Sequence, residues 1–173
     1  MELKDIKSLV RDIPDFPHAG ILFKDITPVL QHPQALAACT DHILEGIAAD
    51  DVDLVAGIES RGFILGPGLA TRLQAGFVPI RKKGKLPAKT LSASYELEYG
   101  IDTIEMHADA VRPGQRVLLH DDLLATGGTA EAACNLIRQA GGEVLRTSFL
   151  IELGFLQGRA RLGAYDVHAL LTY

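Results

Sequence analysis

The chain has 173 residues, enough for one ordinary domain, and its 47% hydrophobic and 23% charged residues are typical of a globular protein. Its formal net charge of −5 argues against a nucleic-acid-binding protein, so any site for a polyanion must gather its cations locally. Two cysteines are too few for a disulfide framework and apolar stretches are too short to span a bilayer, which favours a cytoplasmic protein with no membrane segment.

The N-terminal region combines helical patterns with one aromatic segment between turn residues. Residues 2–11 have apolar spacing typical of a short amphipathic helix, and residues 33–49 predict a longer one. Between them, prolines predict a rigid loop over residues 13–20. The apolar run Ile21-Leu22-Phe23 then precedes Lys24. Such a segment belongs either to the core or to the wall of a planar-ligand site, and the residues alone favour the core.

The first buried strand is predicted over residues 53–58 and runs into a polar turn. Glu59, Ser60 and Arg61 form this turn, and a helix follows to about residue 74. An arginine between a strand and a helix start is well placed to face an anion, although a surface arginine fits the same pattern.

The next predicted strand, residues 77–80, opens into the most basic stretch of the chain. Arg81, Lys82, Lys83 and Lys85 surround one glycine in a protein that is acidic overall. Because ligands of open α/β sheets bind at the carboxyl ends of strands, we expect these cations at a ligand-binding edge.

Residues 88–107 read as a hairpin or flexible flap with a turn at Gly100. Glu96 and Glu98 share one face of its first arm because side chains alternate along a strand. From the residues alone, both glutamates fit a solvated strand edge.

Residues 116–129 carry the densest functional pattern. A buried strand leads to Asp121 and Asp122, then to a small-residue loop, Ala125-Thr126-Gly127-Gly128-Thr129, and then to an amphipathic helix. Backbone N–H groups at a helix start suit a phosphate, and glycines let a ligand approach closely. Ionised carboxylates only accept hydrogen bonds, so they suit hydroxyl groups. A ribose 5-phosphate group matches both parts of the pattern, because its phosphate suits the loop and its diol suits the carboxylates.

Strands that alternate with helices predict an α/β fold with a mostly parallel sheet flanked by helices. We expect one domain over residues 1–173. In this prediction the N-terminal segment, about residues 13–30, and the C-terminal strand at residues 167–172 form a small hood over the sheet. The flexible flap spans about residues 82–105 in this prediction.

The stretch from Asp121 to Thr129 resembles the phosphoribosyl-diphosphate motif of the type I phosphoribosyltransferases, and most closely that of the adenine enzymes. The string Ser-Tyr-Glu-Leu-Glu-Tyr-Gly at residues 94–100 is similar to their mobile catalytic loop. The resemblance implies the type I phosphoribosyltransferase fold. It also implies a reaction of adenine with 5-phosphoribosyl 1-diphosphate (PRPP), giving AMP and diphosphate, with Mg²⁺ carried by the substrate and a homodimer as the assembly.

The resemblance also implies a role for each matching residue. Glu98 takes the position of the general acid/base, and Phe23 that of the aromatic residue that stacks on adenine, with Leu22 and Lys24 beside it. Arg61, Lys82 and Lys85 reach the diphosphate, and Arg81 acts across a dimer interface. The 5-phosphate is held by the loop residues Ala125, Thr126, Gly127, Gly128 and Thr129. No protein ligand of the metal is implied, and His120 within the motif receives no role.

Two alternatives stay open at this point. One is a phosphoribosyltransferase for another purine, such as xanthine or hypoxanthine, because the base site depends on the hood. The other is a regulator that senses PRPP and binds DNA, which needs an added DNA-reading domain. Only about 50 residues precede the first core strand, and they are not basic.

Overall fold

The computed structural model describes residues 1–96 and 100–173. The chain divides into two units, residues 1–42 and 43–173. That both units form one domain, with the first acting as a hood, stays a prediction.

The first unit contains a short antiparallel hairpin and three helices. Its elements are α1 (Leu3–Leu9), β1 (Arg11–Pro14), β2 (Leu22–Asp25), α2 (Thr27–Gln31) and α3 (Pro33–Ile43). Ile13 of β1 pairs with Phe23 of β2. The loop between the strands is closed where the Gly20 N–H donates to the Asp15 carboxylate over 2.7 Å. The predicted aromatic segment therefore forms the second strand of a hairpin.

The second unit is built on one sheet. Its elements are β3 (Leu54–Ile58), α4 (Gly62–Leu73), β4 (Gly76–Lys82), β5 (Thr90–Glu96), β6 (Ile101–His107), β7 (Arg116–Leu124), α5 (Gly128–Gln139), β8 (Glu143–Glu152), α6 (Gly158–Arg161) and β9 (Val167–Thr172). Across the described residues this sheet has seven strands in the order β5-β6-β4-β3-β7-β8-β9. Strands β4, β3, β7, β8 and β9 run parallel, whereas β5 and β6 are antiparallel. The predicted mostly parallel α/β sheet is confirmed.

The core lies where the central strands meet α5. Val117 and Leu119 of β7 are fully buried, as are Leu136 and Ile137 of α5. Strands buried on both faces have near-continuous apolar runs, and β3 and β7 show such runs. Because β3, β4 and β7 are parallel neighbours, the chain segments that leave their carboxyl ends gather at one edge.

The C-terminal strand corrects one prediction. β9 does not contribute to a hood, because it pairs in parallel with β8 as the last strand of the main sheet. Thr147 stands opposite Val167, and Phe149 opposite Ala169. The physical reason is that the long buried strand β8 leaves open N–H and C=O groups on one side, which β9 satisfies.

Candidate active site

The loop of residues 125–129 connects β7 to α5. Gly127 is the residue before the helix and has φ +84°, a left-handed conformation that glycine adopts without strain. Gly128 begins α5 and is buried, whereas the Thr126 side chain is exposed. The loop encloses a cavity of about 70 Å³ together with Asp121. A helix start beside a small cavity is a geometry that suits an anion.

Close backbone packing holds this loop in place. A Cβ atom on Gly127 would lie 2.6 Å from the carbonyl oxygen of Gly158. A Cβ atom on Gly158 would overlap the carbonyl oxygen of Ala125. Both positions therefore require glycine, and the start of α6 fixes the loop through backbone contact alone.

The sequence had suggested that the two carboxylates follow the strand, but both lie inside β7. Asp122 is only 6% exposed, and its Oδ2 pairs with Nε of Arg61 at 2.8 Å. Oδ1 of Asp121 accepts a 2.9 Å hydrogen bond from the backbone N–H of Asp122. The structure thus brings Arg61 and both carboxylates together just before the loop of residues 125–129.

Burial shifts the titration of this pair. Desolvation raises the pKa of Asp121 well above its ordinary value, and the neighbouring Asp122 charge raises it further. Burial also raises the pKa of Asp122, while Arg61 opposes this shift. Arg61 opposes the rise more strongly at Asp122, which it contacts, than at Asp121.

Arg61 reaches Asp122 because α4 begins directly against β7. A Cβ atom on Gly62, the first residue of α4, would lie 2.7 Å from the carbonyl oxygen of His120. Glycine at this position lets the helix start approach the strand, which places the preceding arginine next to the carboxylate. The same contact explains why the turn after β3 and the motif on β7 form one site.

Glu59 organises the basic stretch at the end of β4. Its carboxylate accepts two hydrogen bonds from the Arg81 guanidinium, at 3.0 and 3.2 Å, and one from the Lys82 backbone N–H at 3.0 Å. These bonds, led by the Arg81 side chain, lower the pKa of Glu59. Arg81 also donates to the carbonyl oxygen of the exposed Lys85. Arg81 is therefore held within its own chain.

Lys82 makes a second set of contacts. Its ammonium lies 3.1 Å from the carboxylate of Asp102 on β6, and this partner raises the pKa of Lys82. The Tyr95 hydroxyl donates to the same carboxylate over 3.2 Å, and the Tyr95 ring lies against Gly128 in the loop of residues 125–129. A cation of the basic stretch is thereby connected to the loop.

The hairpin of the first unit carries the three residues predicted for the base. The rings of Phe16 and Phe23 meet edge to face with centroids 5.1 Å apart. With Ile13 and Asp25 they line a cavity of about 250 Å³. Lys24 donates to Asp12 across the hairpin at 2.7 Å, and Leu22 is 49% exposed. This unit therefore offers an aromatic wall.

Two further residues of the motifs are Glu98 and His120. Glu98 lies outside the described residues, so its predicted role stays a prediction. His120 is fully buried in β7, and its Nδ1 lies 3.1 Å from Oγ of Ser148. Burial lowers the pKa of His120 to about 4, so it is a neutral structural residue at neutral pH.

Sequence reasoning missed Glu59, Tyr95 and Asp102. Each is a polar residue beside a recognised motif, and nothing in the local pattern separates it from a solvated side chain. Only the pairing of β3 with β4 brings Glu59 to Arg81, and only the pairing of β6 with β4 and β5 brings Asp102 to Lys82 and Tyr95.

Comparisons with known proteins agree with this geometry. Residues 25–168 match the family model described as "Phosphoribosyl transferase domain". An adenine phosphoribosyltransferase of Thermobifida fusca is 59% identical over 167 residues, which cover 96% of this chain and 95% of that protein. The chain belongs to the adenine phosphoribosyltransferase family. Its sheet, acidic pair and glycine loop are therefore features of a family fold.

Solved structures of family members have the same fold over nearly the whole chain. The enzyme of Rhodothermus marinus matches with a TM-score of 0.95 and 58% identity, covering 99% of this chain and 98% of that one. The enzyme of Saccharomyces cerevisiae, solved with adenine and an imino-altritol bisphosphate, matches with a TM-score of 0.92 and 40% identity over 97% of each chain.

Outside residues 97–99, no helix is long and apolar enough to cross a membrane. The described residues contain no group of three or more His, Cys, Asp and Glu side chains arranged to hold a metal ion.

Proposed function

We propose that this protein transfers the 5-phosphoribosyl group from PRPP to adenine, giving AMP and diphosphate, and so acts in purine salvage. This reaction makes it a pentosyltransferase. The observation that carries the proposal is the junction of β7 and α5, where the half-buried Asp121 and the buried Asp122 precede a glycine loop in a chain 59% identical to an adenine phosphoribosyltransferase.

The 5-phosphate binds in the loop of residues 125–129. Backbone N–H groups at the start of α5 donate to its oxygens, and the positive end of the helix dipole favours its charge. The hydroxyl groups of Thr126 and Thr129 add donors. Because the loop is held by backbone packing on Gly158, its geometry is set before the substrate arrives.

Asp121 and Asp122 accept hydrogen bonds from the ribose 2- and 3-hydroxyls. As the bond between C1 and the diphosphate oxygen breaks, the oxygen keeps the electron pair and positive charge develops on the ribose. A fixed negative charge near this carbon stabilises the transition state, and such electrostatic stabilisation is often the largest catalytic contribution. Asp122, paired with Arg61, is the carboxylate placed to supply that charge.

Arg61, Lys82 and Lys85 neutralise the leaving diphosphate, together with Mg²⁺ that enters with the substrate. Magnesium commonly binds through substrate phosphates and keeps several waters, so PRPP itself supplies its main ligands. Arg81 acts across the interface of a homodimer. Within the single chain, Glu59 holds the Arg81 guanidinium. Sedimentation of the protein with and without PRPP measures the proposed dimer.

Adenine stacks on Phe23 of the hairpin in the first unit, between Leu22 and Lys24. The edge-to-face contact with Phe16 orients the Phe23 ring and supports this assignment. Nitrogen N9 of the base then attacks C1, and its proton passes to Glu98. A positioned general base typically contributes ~10²–10⁴-fold to the rate.

A cytoplasmic location completes the proposal. Both cysteines, Cys39 and Cys134, are buried thiols, and burial raises their pKa values to about 11 and 12. Thiols of this kind resist oxidation and need no oxidising compartment. Fractionation of the native cells measures this location.

The first experiment is a base panel. Adenine, hypoxanthine, guanine and xanthine are each incubated with PRPP and Mg²⁺, and nucleotide formation is followed. We expect turnover with adenine alone. Turnover with a 6-oxopurine would overturn the base assignment and leave the phosphoribosyl site standing. PRPP binding without turnover of any base would instead support a PRPP-sensing protein.

The acid/base role has its own test. Glu98→Gln keeps the shape of the side chain and removes the carboxylate, so kcat for AMP formation should fall by ~10²–10⁴-fold. Glu96→Gln, two residues away, is the matched control and should keep most of its kcat. Equal activity of Glu98→Gln and the wild type would remove Glu98 from the mechanism.

A further inference from the structure

A chain of contacts joins the two ends of the proposed PRPP site. It runs from Lys82 on β4 to Asp102 on β6 and then to Tyr95 on β5, whose ring lies against Gly128 in the loop of residues 125–129. Its first member belongs to the proposed diphosphate site, and Gly128 belongs to the proposed 5-phosphate site. Two side chains without an assigned role, Asp102 and Tyr95, therefore stand between the two anionic groups of one substrate.

Asp102 is fully engaged by its neighbours. One carboxylate oxygen accepts from both Lys82 and Tyr95, at 3.1 and 3.2 Å, and the other accepts from the Thr103 backbone N–H at 2.8 Å. Although burial opposes it, these donors keep the pKa of Asp102 below its ordinary value. Asp102 is therefore an ionised, immobile partner for the Lys82 ammonium.

Tyr95 is fixed against the phosphate loop. Its ring packs on the hydrophobic core of the second unit, and its Cδ2 atom would lie 3.4 Å from a Cβ atom on Gly128. The hydroxyl group donates to Asp102. An aromatic side chain that is held at its ring and at its hydroxyl group is a suitable spacer between the loop and β6.

We propose that Asp102 and Tyr95 are positioning residues that hold Lys82 and Gly128 at the separation PRPP requires. The inference rests on the proposed function, since Lys82 and Gly128 are among its PRPP-binding residues. A lysine ammonium has three N–H donors, so the bond to Asp102 leaves two for the diphosphate. Because the Lys82 side chain is already ordered, less conformational freedom is lost when the substrate binds.

Tyr95→Phe tests the link without changing any charge. Removing one hydroxyl breaks the contact to Asp102 while the ring keeps its packing. We expect the Kd and KM for PRPP to rise about three- to tenfold, as for the loss of one ordered side chain. The KM for adenine and kcat should stay within about twofold, because a preorganisation loss acts on PRPP alone.

Asp102→Asn tests the same link from its centre. The substitution removes the charge that raises the pKa of Lys82, so the alkaline limb of kcat/KM for PRPP should move to lower pH. The double variant of Tyr95→Phe and Asp102→Asn should lose less binding free energy for PRPP than the two single variants lose together. The reason is that both changes break one chain of contacts.

Ser94→Ala provides the matched control. Ser94 precedes Tyr95 on β5, and its hydroxyl hydrogen-bonds to the Thr103 hydroxyl at 2.9 Å, away from Lys82. This variant should bind PRPP as the wild type does. Equal PRPP losses in Ser94→Ala and Tyr95→Phe would indicate a general weakening of the hairpin and overturn the proposal.

Other outcomes also decide the question. An unchanged Kd for PRPP in Tyr95→Phe would overturn it, and so would tighter PRPP binding in Asp102→Asn, because the carboxylate would then compete with the diphosphate. Binding is measured by calorimetry without a base. A wild-type protein that binds PRPP but does not turn over adenine would therefore defeat the proposed function and leave this test intact, whereas no PRPP binding would overturn both.

Discussion

Two strand-to-helix junctions of the same sheet bind opposite ends of PRPP in this proposal, and they are built differently. At the junction of β7 and α5, small residues and two glycines present backbone N–H groups, and backbone packing on Gly158 holds them. At the junction of β3 and α4, long side chains dominate: Arg61 pairs with Asp122, and Glu59 pairs with Arg81.

The difference follows from what each end of the substrate does. The 5-phosphate stays bound through the reaction, so a rigid backbone cradle is sufficient. The diphosphate leaves, and side chains in ion pairs with the protein can exchange partners as it goes. We therefore expect the backbone junction to tolerate substitution poorly and the side-chain junction to respond gradually.

The largest effect is expected from Gly127→Ala. The new Cβ would meet the Gly158 carbonyl oxygen at 2.6 Å in a backbone conformation with φ +84°, so the loop must move. A displacement of about 1 Å can cost ~10²-fold in rate, and we expect kcat/KM to fall at least that far.

Gly68→Ala is the control for this prediction. Gly68 is exposed within α4, and a Cβ atom there would have nothing within 4 Å. This variant should keep full activity and gain up to about 1 kcal/mol of helix stability. A similar loss of activity in both variants would mean that the backbone packing of the loop is not its essential feature.

Asp121→Asn should separate activity from stability. Because the pKa of Asp121 is raised by burial and by Asp122, the folded state binds a proton more tightly than the unfolded state does. Stability conferred by this proton is therefore lost as pH rises through the ordinary value of 3.8 towards the raised pKa, and ionised Asp121 destabilises the fold at neutral pH.

Asparagine removes that charge and keeps an oxygen for the Asp122 N–H. We expect the melting temperature at pH 7 to rise by roughly 2–6 °C and kcat/KM to fall about 10–100-fold. Calorimetric scans at pH 7 and pH 4 measure the difference, which should shrink at the lower pH. A less stable variant at pH 7 would contradict the pKa argument.

Arg61→Ala is expected to have an intermediate effect. The variant loses a diphosphate cation and leaves Asp122 buried without that partner, which raises the pKa of Asp122. The KM for PRPP should rise about tenfold, as for loss of one charge-assisted contact. The acid limb of the pH profile should move to higher pH.

Arg61→Lys separates charge from geometry. It restores the positive charge but lacks the planar guanidinium, so recovery should be partial. A pH profile that stays unchanged in Arg61→Ala would show that Asp122 does not depend on Arg61 for its ionisation.

The smallest effect is expected from Lys24→Met. The Lys24 ammonium pairs with Asp12 at 2.7 Å; the Lys24 side chain is 11% exposed and the Asp12 side chain 52%. The KM for adenine should change by less than about twofold, because the Lys24 ammonium is held by Asp12 rather than by the base. A larger change, measured against a Leu22→Met control, would place the ammonium itself at the base.

The parts of the site that sequence reasoning found share a local origin. The loop from Ala125 to Thr129 is contiguous, and its function depends on backbone groups at one helix start. The mostly parallel sheet was also predictable, because strands and helices alternate from residue 53 onward. Long-range pairing escaped prediction, as the placement of β9 in the main sheet rather than in a hood shows.

By itself, the sequence determined the order of strands and helices, the glycine loop at the start of α5 and the presence of two adjacent carboxylates. Only the tertiary structure decided which partner each charge has: Arg61 with Asp122, Arg81 with Glu59, Lys82 with Asp102. The physical reason is that apolar periodicity and turn chemistry act between near neighbours, whereas an ion pair depends on strand order and register across the sheet.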